Sequence, residues 1–228
     1  MKLNRRTLLE GLAATALTGA AIASPWDTLV TSRMSTGSYS LVSAASAQAN
    51  IDDLMVAGPL GEQAIGDPNA PITVVEYASM TCSHCAHFHK TIFPELRKKY
   101  VDTGKVRFIL REFPLDPLAA GAFMLARCSG PDRYFDFVDV LFHQQEDWTR
   151  TNDPVTALFT ISKQAGFTQE SFDSCLSNQQ MLDGVNWVKE RAAEKFDVRS
   201  TPTFFVNGEI HPGVQTLEEF DKLFEPLL

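Results

Sequence analysis

Val74-Val75-Glu76-Tyr77-Ala78-Ser79-Met80-Thr81-Cys82-Ser83-His84-Cys85 is the stretch that decides the fold of this chain. Its β-branched and aromatic start predicts a buried strand, which stops at Ser79-Met80-Thr81. A C-x-x-C follows and opens a helix predicted from Cys82 to about Tyr100. Strand, short turn, then C-x-x-C at a helix N-terminus is the pattern of a dithiol/disulfide redox site. The first N–H groups of a helix lack intrahelical acceptors, and the helix dipole is positive there. A sulfur in that position ionises more easily, so Cys82 is expected to be the nucleophile, with a lowered pKa. Cys85, one turn further in, is within disulfide reach and is the expected resolving partner.

Two other readings compete. Paired cysteines can be small buried hydrophobes, but this spacing directly after a strand argues against it. A zinc or copper site is the stronger rival, because His84, His87 and His89 crowd the same ten residues. Against it, the chain has no second C-x-x-C, and these histidines fan around the helix by about 100° per residue. The redox reading is therefore preferred, with no metal and no cofactor expected.

The chain has 228 residues, four cysteines and a formal charge of −8. Lys2, Arg5 and Arg6 precede a mildly apolar stretch from Leu8 to Ala23, and a Ser/Ala-rich segment then ends in Ala47-Gln48-Ala49. This is the layout of an export signal over residues 1–49, cut after Ala49; Ala21-Ile22-Ala23 offers a second cut. The apolar part is about 16 residues long and interrupted by Glu10, too short for a comfortable membrane span. Asn4-Arg5-Arg6-Thr7-Leu8-Leu9 is similar to a twin-arginine signal, although Glu10 leaves ordinary secretion open. Cleavage would leave about 180 residues, one domain with a full core. The removed part is net basic, so the remainder is more acidic than the whole, which argues against nucleic-acid and anionic-membrane partners.

Outward from the central stretch, Ile51 to Gln63 is polar, with a short strand expected near Leu54–Val56, and Gly66-Asp67-Pro68-Asn69-Ala70-Pro71 is a turn. Glu76 is open to two readings: a surface glutamate on an edge strand, or a buried acid beneath the disulfide that takes protons from Cys85. Phe88, Ile92, Phe93 and Leu96 form an apolar stripe on the helix, which Pro94 is expected to kink. Val106–Arg111 is a second strand. Only helical periodicity follows: Leu118–Cys128, Tyr134–Gln145, Pro154–Ala165, Gln169–Leu176 and Met181–Phe196, with Asp153 and Thr168 as N-caps. This is too long for one crossover and reads as an inserted helical subdomain at about 115–196. Phe135, Phe137 and Trp148 are expected in its core. Cys128 and Cys175, 47 residues apart within it, are expected to form a structural bridge, as an even cysteine count in an exported chain implies. Strands resume at Pro202–Val206, turn at Asn207-Gly208, and return over Glu209–His211 before a closing helix, Leu217–Phe224. Thr201-Pro202 is either a trans turn or a cis bond facing the disulfide, with Thr201 backbone groups free to pair with an extended substrate.

Glu76, Cys82-Ser83-His84-Cys85, the helical insert and Thr201-Pro202-Thr203-Phe204-Phe205-Val206-Asn207-Gly208 together resemble the DsbA-type periplasmic thiol:disulfide oxidoreductases, over essentially all of residues 66–228. The resemblance implies an α/β thioredoxin fold with an inserted all-helical subdomain, spanning 50–228. It implies donation of the Cys82–Cys85 disulfide to reduced exported polypeptides in the periplasm, with reoxidation by a membrane quinone-linked protein. It places a thiolate-stabilising histidine at His84, the buried acid at Glu76 and the cis-proline at Pro202. The Ser83-His84 dipeptide departs from the better-known Pro-His, and the Cys128–Cys175 pair occurs in only some branches of the family. Isomerase-type relatives also carry Thr before the proline, but they have an added dimerisation domain for which residues 50–66 leave no room. A monomeric oxidase is therefore expected, with a reductase or isomerase on the same fold, or a metal carrier, as the alternatives.

Overall fold

The computed structural model describes residues 49–228; the expected export signal and its cut after Ala49 lie essentially outside them. After a short helix α1 (Ile51–Leu54) come β1 (Ala64–Ile65), β2 (Ile72–Ala78), α2 (Ser83–Thr91), α3 (Phe93–Leu96) and a π-helical turn, Arg97–Val101. β3 (Val106–Glu112) leads into α4 (Pro117–Cys128), α5 (Tyr134–His143), α6 (Gln145–Thr149), α7 (Pro154–Ser162), α8 (Gln169–Leu176) and α9 (Gln179–Lys195). The chain closes with β4 (Thr203–Val206), β5 (Glu209–Pro212) and α10 (Leu217–Phe224). The five strands form one sheet in the order β1-β3-β2-β4-β5, in which only the β2–β3 pair is parallel.

β2 is thus central and Glu76 is no surface residue of an edge strand: its side chain is fully buried. Strand alternation sends Val74, Glu76 and Ala78 to the face covered by α2, and Val75 and Tyr77 to the opposite face. On the first face Phe88 of α2 is the hub of an aromatic cluster, 4.8 Å from Phe204 and 6.0 Å from Phe220 between ring centroids. Anchoring α2 at Phe88 fixes where its N-terminus, and hence the C-x-x-C, must sit. On the second face α9 lays Val188 and Ala192 against the sheet, where Tyr77 meets Phe205 edge-on at 5.8 Å. β2 is further pinned by Asn207, whose side-chain oxygen accepts from the Thr73 N–H at 2.8 Å. Asn207 and Gly208 both have positive φ, as a two-residue hairpin turn requires.

The helices between β3 and β4 bury Phe137 and Trp148, and Phe135 packs against the same core. Cys128 and Cys175 are joined by a disulfide that ties α4 to α8. Asp153 and Thr168 cap α7 and α8 as their sequences predict, and Asp116 caps α4. Three local expectations are corrected. The strand expected near Leu54–Val56 is absent from that position: Asn50 accepts from the N–H groups of Asp52 and Asp53 and starts helix α1 there, while the strand forms at Ala64–Ile65 by pairing with Ile109 and Phe108. The helix expected from Cys82 to Tyr100 breaks at Ile92, ahead of Pro94. The helix expected to run to Gln145 ends at His143, and a separate helix α6 follows.

Candidate active site

Cys82 is the N-cap of α2, with extended backbone, and the Cys85 side chain lies one turn in, fully buried. Both are free thiols in this structure. The loop that delivers Cys82 is held from three directions. Cys82 N–H donates to the Ser79 carbonyl at 3.1 Å. Ser79 and Thr81 link to the start of α4, Thr81 donating to an Asp116 carboxylate oxygen at 2.6 Å. From α6, the buried amide of Gln145 donates to the carbonyls of Met80 at 2.8 Å and Cys82 at 2.9 Å. Gln145 was not legible in the sequence as a site residue, since nothing local distinguishes it from the polar end of an amphipathic helix.

Across the site, the Thr201–Pro202 peptide bond is cis, and the Thr201 carbonyl accepts from the Cys82 thiol at 3.3 Å. Pro202 lies just outside the β4 ladder, its carbonyl accepting from Gly213 N–H at 2.8 Å. Thr201 Oγ1 is buried without a partner in this dithiol form.

The two sulfurs differ sharply in acidity. The Cys85 thiol donates to the Cys82 sulfur, and this is the main reason Cys82 is lowered to about 5 against partial burial. The Thr201 hydroxyl and the N–H groups of Cys85 and His84 lower it further. Cys85 is pushed well above the ordinary thiol range, first by burial, then by its bond to Cys82 and by the charges of Glu76 and Cys82. His84 therefore meets Cys82 through its backbone; its side chain is exposed. Glu76 lies beneath α2 and is hydrogen-bonded, Oε2 to His89 Nε2, at 2.9 Å.

The three histidines do not assemble around the sulfurs. His84 and His87 point to solvent, while His89 is buried against Glu76. Among the described residues, no group of three or more His, Cys, Asp or Glu side chains is placed to hold a metal ion. None of the described helices is long and apolar enough to cross a membrane.

Comparison with known proteins places this site in a family. A family model described as thioredoxin matches residues 60–225. The crystal structure of alpha-DsbA1 from Wolbachia pipientis superposes with a TM-score of 0.72 at 33% identity, covering 77% of this chain and 94% of that one. A putative protein-disulfide oxidoreductase of Rickettsia bellii is 38% identical over 152 residues, 64% of this chain and 57% of the relative. Disulfide bond formation protein D of Bacillus subtilis is 25% identical over 181 residues, covering 73% of this chain and 76% of its own length. The chain belongs to the thioredoxin family, in its DsbA-type branch. It spans a little over half the length of the Rickettsia relatives it matches.

Proposed function

We propose that the chain is a protein-disulfide oxidase that donates the Cys82–Cys85 disulfide to reduced exported polypeptides. A substrate thiolate attacks Cys82; the S–S bond breaks and Cys85 leaves with the electron pair and is protonated. A second substrate thiol then attacks the mixed disulfide, releasing oxidised substrate and the dithiol enzyme. The observation that carries this reading is the asymmetry of the two sulfurs: Cys82 caps α2, partly exposed, with its pKa lowered to about 5, while Cys85 is buried and pushed well above the ordinary thiol range. A stabilised Cys82 thiolate favours the reduced form, so the disulfide is correspondingly ready to be given away.

Roles for the other residues follow from their positions. Thr201 offers its backbone to an extended substrate, beside Pro202. Glu76, buried below Cys85, exchanges the proton that the leaving sulfur takes up. His84 contributes to holding the Cys82 thiolate, and Cys128–Cys175 is structural. The working chain is 50–228, a thioredoxin domain with its helical insert at about 115–196, a monomer exported to the periplasm after cleavage at Ala49. Its reoxidant is a membrane quinone-linked protein.

The test is the equilibrium of the Cys82–Cys85 couple in a glutathione buffer series, with Cys128 and Cys175 assayed separately. The expected potential lies well above thioredoxin's roughly −270 mV, toward the roughly −120 mV of a DsbA oxidant. A value near thioredoxin's overturns the oxidase reading in favour of a reductase.

A further inference from the structure

Cys85 and His89 are one helical turn apart on α2, so both face the sheet, and Glu76 lies below them on β2. Glu76 Oε2 is bonded to His89 Nε2 at 2.9 Å, with both side chains essentially buried. The other carboxylate oxygen, Oε1, is buried with no partner. An unpaired buried oxygen costs free energy, and here it is an acceptor free to take or give a proton.

The far side of His89 is not closed. Its ring stacks on Phe142 at 4.4 Å between centroids and forms part of the lining of a cleft of about 310 Å³ between the α2–α3 segment and α5. The cleft walls carry Arg97, Asp136, Asp139 and His143, all of them exposed. Glu76 thus has a titratable group on each side: Cys85 above it, and on its flank a buried histidine that backs onto the cleft. The remaining ionisable neighbours cannot do this work. The Tyr134 hydroxyl is fully buried and held protonated by that burial and by Glu112, and Glu112 is tied to Arg127.

We propose that His89 is a positioning residue that resupplies Glu76 with protons from the α5 cleft, so that Cys85 exchanges its proton through the flank of the molecule rather than through the mouth at Cys82. This rests on the reading of Glu76 as the acid serving Cys85. The step balances as follows. The S–S bond breaks and Cys85 departs as a thiolate holding the electron pair. The carboxyl of Glu76 gives its proton to Cys85, and the carboxylate left behind takes the Nε2 proton of His89 across the 2.9 Å bond. Nδ1 takes up a proton from cleft water as Nε2 gives its own away, so the ring stays neutral throughout and one proton has passed from water to Cys85. Oxidation of the dithiol runs the same path backwards. His89 never touches the reacting sulfurs.

The test is the rate at which dithiothreitol reduces the Cys82–Cys85 disulfide between pH 5 and 9, followed by rapid acid quench, for the wild type, E76Q, H89A, H89Q and E76Q/H89Q. H89A and H89Q are expected to slow the reaction at least about tenfold at pH 7 and to flatten its pH profile. Imidazole in the buffer should restore much of the H89A rate, because that truncation opens a cavity onto the cleft; a purely structural histidine would show no such rescue. The double variant should be no slower than E76Q, since the pair acts as a unit. Slow E76Q beside H89Q at the wild-type rate and pH profile overturns the role of His89 and leaves that of Glu76 intact. E76Q at the wild-type rate overturns both. Should H89A not fold, H89Q decides by the same rate and pH profile.

Discussion

The Cys82 sulfur lies 3.3 Å from the Thr201 carbonyl oxygen, a contact made across 119 residues of sequence. It brings the N-terminus of α2 against the loop before β4, and the thiolate that forms there is met by the Cys85 thiol, two helix N–H groups and the Thr201 hydroxyl. In the reduced protein, thiolate absorbance should appear with a midpoint of about 5. In C85A the midpoint should rise, because the Cys85 thiol is the largest of those influences. The sign of the stability effect follows. Cys82 ionises more readily folded than unfolded, so its contribution to the reduced form is fully present above the unfolded thiol pKa and is lost as pH falls through about 5. Urea midpoints of reduced and oxidised protein should therefore shift in favour of the reduced form from pH 5 upward to about 9, by less than an unscreened charge would give because the sulfur is partly exposed. A gap independent of pH overturns this.

Gln145 gives a second test. Its amide is the partner of two carbonyls, Met80 and Cys82, in the loop that carries the nucleophile. Gln145→Leu keeps the volume and removes both donors. It should cost about 1–3 kcal/mol in urea unfolding and speed amide hydrogen exchange over Ser79–Cys82. Unchanged exchange in that loop would show that Ser79, Thr81 and Asp116 hold it without help from α6.

What the sequence revealed, and what it hid, follow the range of the interactions. The β2–α2 unit was legible because strand, turn and helix start within twelve consecutive residues, and the physics of a sulfur at a helix N-terminus is local. Asn207-Gly208 was legible for the same reason. Whether Glu76 was at an edge or in the centre was not, because that depends on β4 returning from far along the chain to pair with β2. β1 escaped because two residues carry no periodicity; pairing with Ile109 and Phe108 makes it a strand. In the sequence, His89 reads only as a candidate metal ligand. Its spacing of four from Cys85 placed both on one helix face, but its partner, Glu76, is 13 residues away on another element.

The bridge between Cys128 and Cys175 closes a loop of 47 residues and ties α4 to α8, away from the α2 N-terminus. Replacing both cysteines by alanine should lower stability by about 4 kcal/mol on loop-entropy grounds, read from urea unfolding. The rate of Cys82–Cys85 exchange with a dithiol should stay within about twofold of wild type, the range of an unperturbed site. A larger change in exchange rate would mean that the helical layer sets the geometry of the loop held by Gln145.

His84 is where resemblance and geometry make different demands. The resemblance assigns thiolate stabilisation to the histidine ring; the structure places that ring in solvent and the His84 N–H on the Cys82 sulfur. Two substitutions separate the contributions. His84→Ala removes the ring and keeps the N–H. His84→Pro removes both, at a position in the first helical turn where proline costs little backbone strain. A hydrogen bond to a charged acceptor contributes about 1.5–3 kcal/mol, which corresponds to about one to two pKa units. If the backbone carries the effect, the Cys82 midpoint should move by less than about half a unit in H84A and rise by about one unit or more in H84P, both read from thiolate absorbance of the reduced protein. A large rise in H84A, with little added by proline, would assign the stabilisation to the imidazole. The ring would then have to turn from solvent toward Cys82 when the thiolate forms.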